Sequence, residues 1–397
     1  MHIILTVDYS PWSAYSGGAQ RVTHNLGVAM SKRGHKVTVI YSKPPWETIS
    51  VPDDVPYQIH WAHLIAAKSK RAVFLRPLTA LSVNRILKKI INPNEDTVVH
   101  GNGEETGLVH KIRDHHSFAF ICTPHHPHYP EVFFKHKKLP FTTKVFTALK
   151  NGKYLMQASA AFHADFCTPP SQWAAEMIGK AFNIPRERLQ PVHNGVPDEF
   201  LNYHRKPEAQ QGPIVFFGRL TKTKGVDTLI EALSLLDPQE IPETWIIGRG
   251  EMKQELQEEV EKLKLSKKVI FKSWMDHHEL GQVLSKSKLC VLPSREENFS
   301  LAVLSSMCVG TPTVSTKVGG TPEIIQNQKN GCLVEADNPT ALADSIQYLL
   351  EHPDQRQAMG RAGATHIRQN FTWDHACAHF EELYALALEN ERVKNDK

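Results

Sequence analysis

No run of 18 apolar residues occurs anywhere in the 397-residue chain, which argues against a membrane-spanning helix. Cysteine is sparse: six are scattered along the chain with no CxxC pair. That excludes a disulfide framework or a thiolate-bound zinc from the first reading and leaves the reduced thiols of a cytoplasmic protein. The opening MHIILTVD has no basic segment ahead of its apolar run and reaches Asp8 quickly, so it reads as a first strand rather than a secretory leader. Repeats of short period are also missing. What remains, 41% hydrophobic and 22% charged residues, is the composition of an ordinary globular protein. A single core stops growing near ~250–300 residues, so two domains are expected.

Charge is unevenly spread. Residues 1–200 carry 23 Lys and Arg against 15 Asp and Glu, and 15 of the 22 histidines. A basic first half suits an anionic partner, such as a phosphorylated ligand or a membrane surface; a solvated face with no partner would look the same.

Short β-branched runs alternate with helical patterns. In the first half 3–7, 36–41, 97–100, 118–122 and 160–167 read as strands, apolar nearly throughout as strands covered on both faces are. Between the first two, Val22, Leu26, Ala29 and Met30 recur at helical spacing, and Gly34 closes the helix. The second half restarts the rhythm with strands at 213–218, 243–248, 268–271, 288–293 and 311–316. Helices follow at 225–236, 251–264, 276–286, 300–309 and 321–326. A helical tail, 339–390, is broken at Pro339, Pro353 and 370–372. Two successive βα arrays predict an α/β fold of two doubly wound domains, with the boundary in the polar stretch near 195–212. Ligands of such sheets bind at the carboxyl ends of the strands.

Several strand ends carry chemistry. YSGGAQR puts Gly17 and Gly18 before a helix, where paired glycines let backbone amides approach an anion or merely shape a turn. In GRLTKTKG, Arg219 follows a strand and Lys224 stands at the start of a helix; two such cations suit a diphosphate. The GxG at Gly248 is too short for a dinucleotide fingerprint but could admit a ligand to the backbone. In FKSWMDHHEL the backbone at Trp274 and Met275 could face a planar base, or Trp274 could be core. REENFSLAVLSSM (295–307) places the amides of Phe299, Ser300 and Leu301 at a helix start, suited to phosphate. Glu297 is too acidic for phosphate and fits hydroxyls, so a sugar joined to a diphosphate satisfies both halves. Ser305, eight residues on, lies on the same side of the helix. CTPHHPHYPE (122–131) holds three histidines in extended, proline-rich chain with no carboxylate or cysteine at ligand spacing. A single histidine at the strand end is the better reading than a metal site. No DxD follows a strand, so no divalent metal is expected for a leaving diphosphate, and the cations with a helix dipole would stabilise it instead.

The order GG…H…NGV…GRL…KG…E-x-F-x-L…GGTPE, running from about residue 2 to 380, resembles the retaining GT-B glycosyltransferases of family 4. The resemblance implies two Rossmann-like domains with an interdomain cleft: residues 1–200 for the acceptor, completed by a helix at about 372–390, and 210–370 for a nucleotide-sugar. It implies that Arg219 and Lys224 neutralise the diphosphate with the amides of Ser300 and Leu301, and that Glu297 binds sugar hydroxyls. His125 would lie near the reaction centre, Gly17 and Gly18 would line donor and acceptor, and Met275 would meet the base. The expected activity is metal-independent transfer of a hexose-type sugar, with retention, from a UDP-sugar. The expected acceptor is a cell-envelope or lipid-linked glycan, and no cofactor is needed.

Two positions depart from the family. Its second glutamate, which holds the ribose, is Ser305, and a loop glycine is Ser273. A binding-only or donor-altered relative is the first alternative, and a sugar-nucleotide epimerase the second. The basic, apolar segments 71–76, 85–90 and 133–141 suggest peripheral contact with anionic lipid on the inner face of the membrane, or ordinary basic loops. The dispersed cations and the lack of a reading motif argue against nucleic acid.

Overall fold

The computed structural model describes residues 1–65, 75–125 and 152–395, and the chain forms two compact units. Unit 1 is Met1–His193 with Ala376–Lys397, and unit 2 is Asn194–His375. The division falls just ahead of the polar stretch at 195–212.

Unit 1 is built on a parallel sheet of β1 (His2–Asp8), β2 (Lys36–Lys43), β3 (Gln58–His63), β4 (Thr97–Gly101), β5 (Ala119–Cys122) and β6 (Phe166–Cys167), ordered 3-2-1-4-5-6. Its first helices are α1 (Gly18–Lys32), α2 (Arg76–Ile90), α3 (Gly152–His163) and α4 (Gln172–Phe182). All seven residues of β1 are buried, the polar His2, Thr6 and Asp8 along with Ile3, Ile4, Leu5 and Val7, as in a strand covered on both faces. Helix α1 buries Val22, Leu26, Ala29 and Met30, and ends where Gly34 turns to φ +86°.

One strand expectation fails. Residues 160–163 are the end of α3, and only Phe166–Cys167 is strand. The run AAFHADFC is apolar at both periods, and helical spacing wins. Gln157, Ala160, Ala161 and Ala164, at i, i+3, i+4 and i+7, are the buried positions.

Unit 2 repeats the plan with β7 (Ile214–Arg219), β8 (Thr244–Arg249), β9 (Val269–Lys272), β10 (Leu289–Leu292), β11 (Thr313–Thr316) and β12 (Cys332–Val334), ordered 12-11-10-7-8-9. Its helices are α5 (Val226–Ser234), α6 (Lys253–Lys262), α7 (His277–Ser285), α8 (Leu301–Val309), α9 (Thr321–Ile324), α10 (Pro339–Glu351) and α11 (Pro353–Asn370). The last helix, α12 (Trp373–Asn395), returns the chain to unit 1. There Tyr384 Oη lies 2.6 Å from His100 Nδ1 on β4, and Glu381 accepts Arg33 Nε and Nη2 at 2.8 and 2.6 Å. Among the described residues no helix is long and apolar enough to cross a membrane.

Strand order reverses beside the first strand of each sheet, between β1 and β4 and between β7 and β10. The loops leaving these strands part at that point and leave a crevice outside the sheet. Most of the expected functional residues sit on them.

Candidate active site

In unit 2, three loops far apart in sequence meet beyond β7 and β10. The first begins at Arg219, which is exposed at the end of β7, while Leu220 turns back into the core. A short turn then brings Lys224 to Gly225, the N-cap of α5, at φ +64°. A Cβ at Gly225 would stand 2.0 Å from the Pro293 carbonyl oxygen, so this loop touches the loop after β10 at a place only glycine allows. Arg295 stitches the two together: its backbone N–H donates to Thr223 O at 2.8 Å, and its guanidinium donates to Lys222 O at 2.6 Å and to both Asp227 oxygens at 2.8 and 2.7 Å.

Glu297 is fixed at the centre. Its Oε1 accepts from Lys224 Nζ at 2.5 Å and from Ser294 Oγ at 2.9 Å. The third loop closes on it at Gly319 (φ +54°), where a Cβ would lie 1.5 Å from the Glu297 carbonyl oxygen, and Gly320 N–H donates to Asn298 O at 3.1 Å. Lys224 and Glu297, expected to serve the diphosphate and the sugar, thus hold each other in the free protein. Ion pairing leaves the ammonium two further protons for an anion and Oε2 of the carboxylate for hydroxyls.

Helix α8 starts beside them. Ser300 caps it, its Oγ accepting from Val303 N–H at 3.4 Å. The amides of Leu301 and Ala302 in the first turn have no intrahelical acceptor. The Phe299 ring is core, 5.8 Å from the Phe371 ring, so only its backbone is offered to the loop. Ser305 lies on the same helix, 3% exposed.

Neighbouring strand ends divide the remaining expectations. Gly248 (φ +159°) is accounted for by the protein: its Cβ would meet the Gly218 carbonyl oxygen at 1.9 Å, and a Cβ at Gly250 would meet that of Leu220 at 2.1 Å. The GxG is the seam between β7 and β8. Trp274 is not core; it is 45% exposed, with the Arg249 guanidinium 5.7 Å from its ring centre, while Met275 is half-buried against the unit 2 core.

In unit 1 the glycine pair opens α1. Gly17 N–H donates to Gln20 Oε1 at 2.9 Å, and Gln20 Nε2 donates to Asp8 O at 2.6 Å. Neither glycine has a positive φ, and a Cβ on Gly18 would meet nothing within 4 Å. Beside them, buried Arg76 donates to Asp8 Oδ2 at 2.9 Å and lies 3.4 Å from Glu104 Oε1. His125 follows β5; its Nε2 meets Asn102 Oδ1 at 2.8 Å, and burial pushes its pKa down to about 4. It is therefore a neutral imidazole at physiological pH.

Asn102 itself lies between Gly101 and Gly103 in the loop after β4, backed by Glu105. Thr6 Oγ1 donates to Glu105 Oε1 at 2.6 Å, and Asn102 N–H reaches the same oxygen at 3.2 Å. Burial, then the charge of Asp8, raises the Glu105 carboxyl to about 8. Asn102, Glu105, Arg76 and Arg295 were not singled out from the sequence. The glycines flanking Asn102 directly after a strand were the available signal.

Among the described residues no three His, Cys, Asp or Glu side chains cluster as a metal shell. The histidines after His125, and segments 71–74 and 133–141, lie outside the described residues. Of the expected basic patches only Arg85–Ile90 is described in full, with Arg85, Lys88 and Lys89 exposed on α2.

Two parallel six-stranded α/β units, each with its loops gathered at the reversal of strand order, define a GT-B protein. Known structures agree. Sucrose-phosphate synthase from Thermosynechococcus elongatus superposes with a TM-score of 0.79 at 19% identity, covering 98% of this chain and 99% of that one. Anabaena HepE in complex with UDP gives 0.73 at 18% identity, over 97% and 100%. The family profile "Glycosyl transferases group 1" matches residues 202–366, and "Glycosyltransferase Family 4" matches 16–200. An uncharacterized glycosyltransferase of Methanocaldococcus jannaschii is 28% identical over 97% of this chain and 98% of its own. The D-inositol 3-phosphate glycosyltransferase of Jonesia denitrificans is 33% identical, over 43% of this chain and 42% of its own length. The chain belongs to the group 1 glycosyltransferases.

Proposed function

We propose that this glycosyltransferase moves a hexose-type sugar from a UDP-sugar to a carbohydrate or lipid-linked acceptor, with retention of configuration and without a metal. The observation that carries the reading is the Lys224–Glu297 pair just ahead of the first turn of α8 at the strand-order reversal of unit 2, with Arg219 exposed at the end of β7. Cations and free amides suit the diphosphate, and the carboxylate beside them suits sugar hydroxyls. As the β-phosphate leaves, the same donors stabilise the charge it gains, which is the role a metal fills elsewhere. UDP as the nucleotide is supported by the solved complexes of HepE with UDP and with UDP-glucose. Gly18, whose Cβ would meet nothing within 4 Å among the described residues, suits close approach of a ligand to the backbone. Unit 1 takes the acceptor, with His125 serving the reacting sugar as a neutral hydrogen-bonding group.

A thermal-shift screen against UDP-, GDP- and ADP-sugars tests the donor, since a ligand of the native state raises its melting temperature. UDP release during turnover tests transfer, and the anomeric configuration of the product, read by NMR, tests retention. Ser305, a short side chain where the family has the ribose glutamate, favours one second reading: a relative that binds donor without turning it over. Binding by calorimetry with no UDP released across an acceptor panel would establish that reading instead.

A further inference from the structure

Asn102 is held with unusual care for a loop asparagine. A Cβ on Gly101 would stand 2.3 Å from Thr106 Oγ1, and one on Gly103 would stand 2.6 Å from Glu105 Oε2. At Gly101 the Thr106 Cγ2 and Cβ also lie within 3 Å of that Cβ, so the turn is pressed onto the 3-10 segment Glu104–Thr106. Its backbone N–H is claimed twice, by Thr6 O at 3.1 Å and Glu105 Oε1 at 3.2 Å. The residue is 4% exposed, yet only one end of its amide is used: Oδ1 meets His125 Nε2, while Nδ2 is buried with no hydrogen-bond partner among the described residues. Turning the amide over would satisfy nothing more, because Oδ1 would then take the unpartnered place.

A buried amide left unpaired costs roughly 1–3 kcal/mol, so it persists where something else uses it. This one lies at the strand-order reversal of unit 1, beside the β1 end that leads to Gly17 and Gly18. We propose that Asn102 has two tasks in the transfer reaction: Oδ1 orients the ring of His125, and Nδ2 donates to a hydroxyl oxygen of the reacting sugar. With Oδ1 as acceptor, Nε2 of the neutral imidazole must carry the proton, so the asparagine also sets the tautomer. The sugar contact rests on the proposed function; the anchoring of His125 does not.

The test uses the full-length protein with 15N-labelled histidine, and UDP-glucose as the probe. Wild type is expected to show the Nε2–H tautomer at His125. Asn102→Ala should lose that signature and lower kcat for UDP release roughly 10- to 100-fold. Its KM for UDP-glucose should stay within about twofold, because the diphosphate contacts are assigned to unit 2. Asn102→Asp, nearly isosteric, keeps an acceptor for Nε2–H but has no amide, so it should keep the tautomer and still lose kcat. An unaltered imidazole spectrum in Asn102→Ala overturns the anchoring, and wild-type kcat in Asn102→Asp overturns the sugar contact. If the wild-type protein turns over no nucleotide-sugar, the proposed function and the sugar contact fall together, while the spectrum still decides the anchoring.

Discussion

Replacing Glu105 by Gln should change the pH dependence of stability more than its level. The carboxyl titrates near 4.5 in the unfolded chain and at about 8 when folded, raised first by burial and then by Asp8. Below pH ~4.5 both states hold the proton and the group is neutral in each. As pH rises toward 8 the unfolded chain releases its proton while the folded one keeps it, so stability is lost across that window. At about 1.4 kcal/mol per unit, the loss reaches roughly 3 kcal/mol by pH 7, before relaxation around the site trims it. For a unit of this size that corresponds to roughly 5–10 °C in melting temperature. Gln cannot ionise, and its amide replaces an unpartnered hydroxyl by an unpartnered N–H. Glu105→Gln should therefore be equal to or slightly less stable than wild type at pH 5 and clearly more stable at pH 8. Calorimetric scans of both proteins at half-unit steps measure this directly. Parallel curves would show that Glu105 is ionised in the folded protein, and would remove the neutral carboxyl that backs Asn102.

Lys224→Ala removes the proposed diphosphate contact and the ion-pair partner of Glu297; a charge-assisted bond worth about 1.5–3 kcal/mol predicts roughly 10- to 150-fold weaker UDP binding by calorimetry. Arg219→Ala, at an exposed cation, should cost less, roughly three- to tenfold, and lose its effect at high salt. Ser305→Glu places a carboxylate where the family resemblance implies the ribose and should tighten UDP roughly tenfold; unchanged or weaker binding would mean that this end of the site takes another nucleotide or pose. Gly319→Ala puts a Cβ onto the Glu297 carbonyl, so unit 2 should melt several degrees lower and UDP binding should weaken together with it.

Much of the fold could be read because its strands are buried on both faces and its helices are punctuated. Gly34, Pro339 and Pro353 mark helix boundaries where the chain turns. Strand β3 escaped because QIHWAH is an edge strand, polar in composition and only partly buried. The α3 error arose where one apolar run fits two periods. Within the site, Arg219, Lys224 and Glu297 were visible because each stands on the stretch between the end of a strand and the start of the next helix. Their pairing was not, since it depends on contacts between loops far apart in sequence, such as Gly225 against Pro293 and Arg295 on Thr223, Lys222 and Asp227. Asn102 and Glu105 carry opposite lessons. GNG reads as a loop and EE as a solvated acidic pair, and only the packing of Thr106 and Thr6 reveals one acid to be buried and neutral.

Helix α12 gives the two units different histories on the ribosome. Unit 2 is one uninterrupted stretch, Asn194–His375, and contains every strand of its sheet before α12 is made. Unit 1 begins first and finishes last. Until Tyr384 arrives, Nδ1 of His100 lacks its hydroxyl partner, and until Glu381 arrives, Arg33 lacks its carboxylate. The first half of the chain must therefore wait, with part of its sheet uncovered, while the second half is synthesised and folds. Chaperone dependence should concentrate on that interval, and a nascent chain halted before residue 376 should present a finished unit 2 behind an unfinished unit 1.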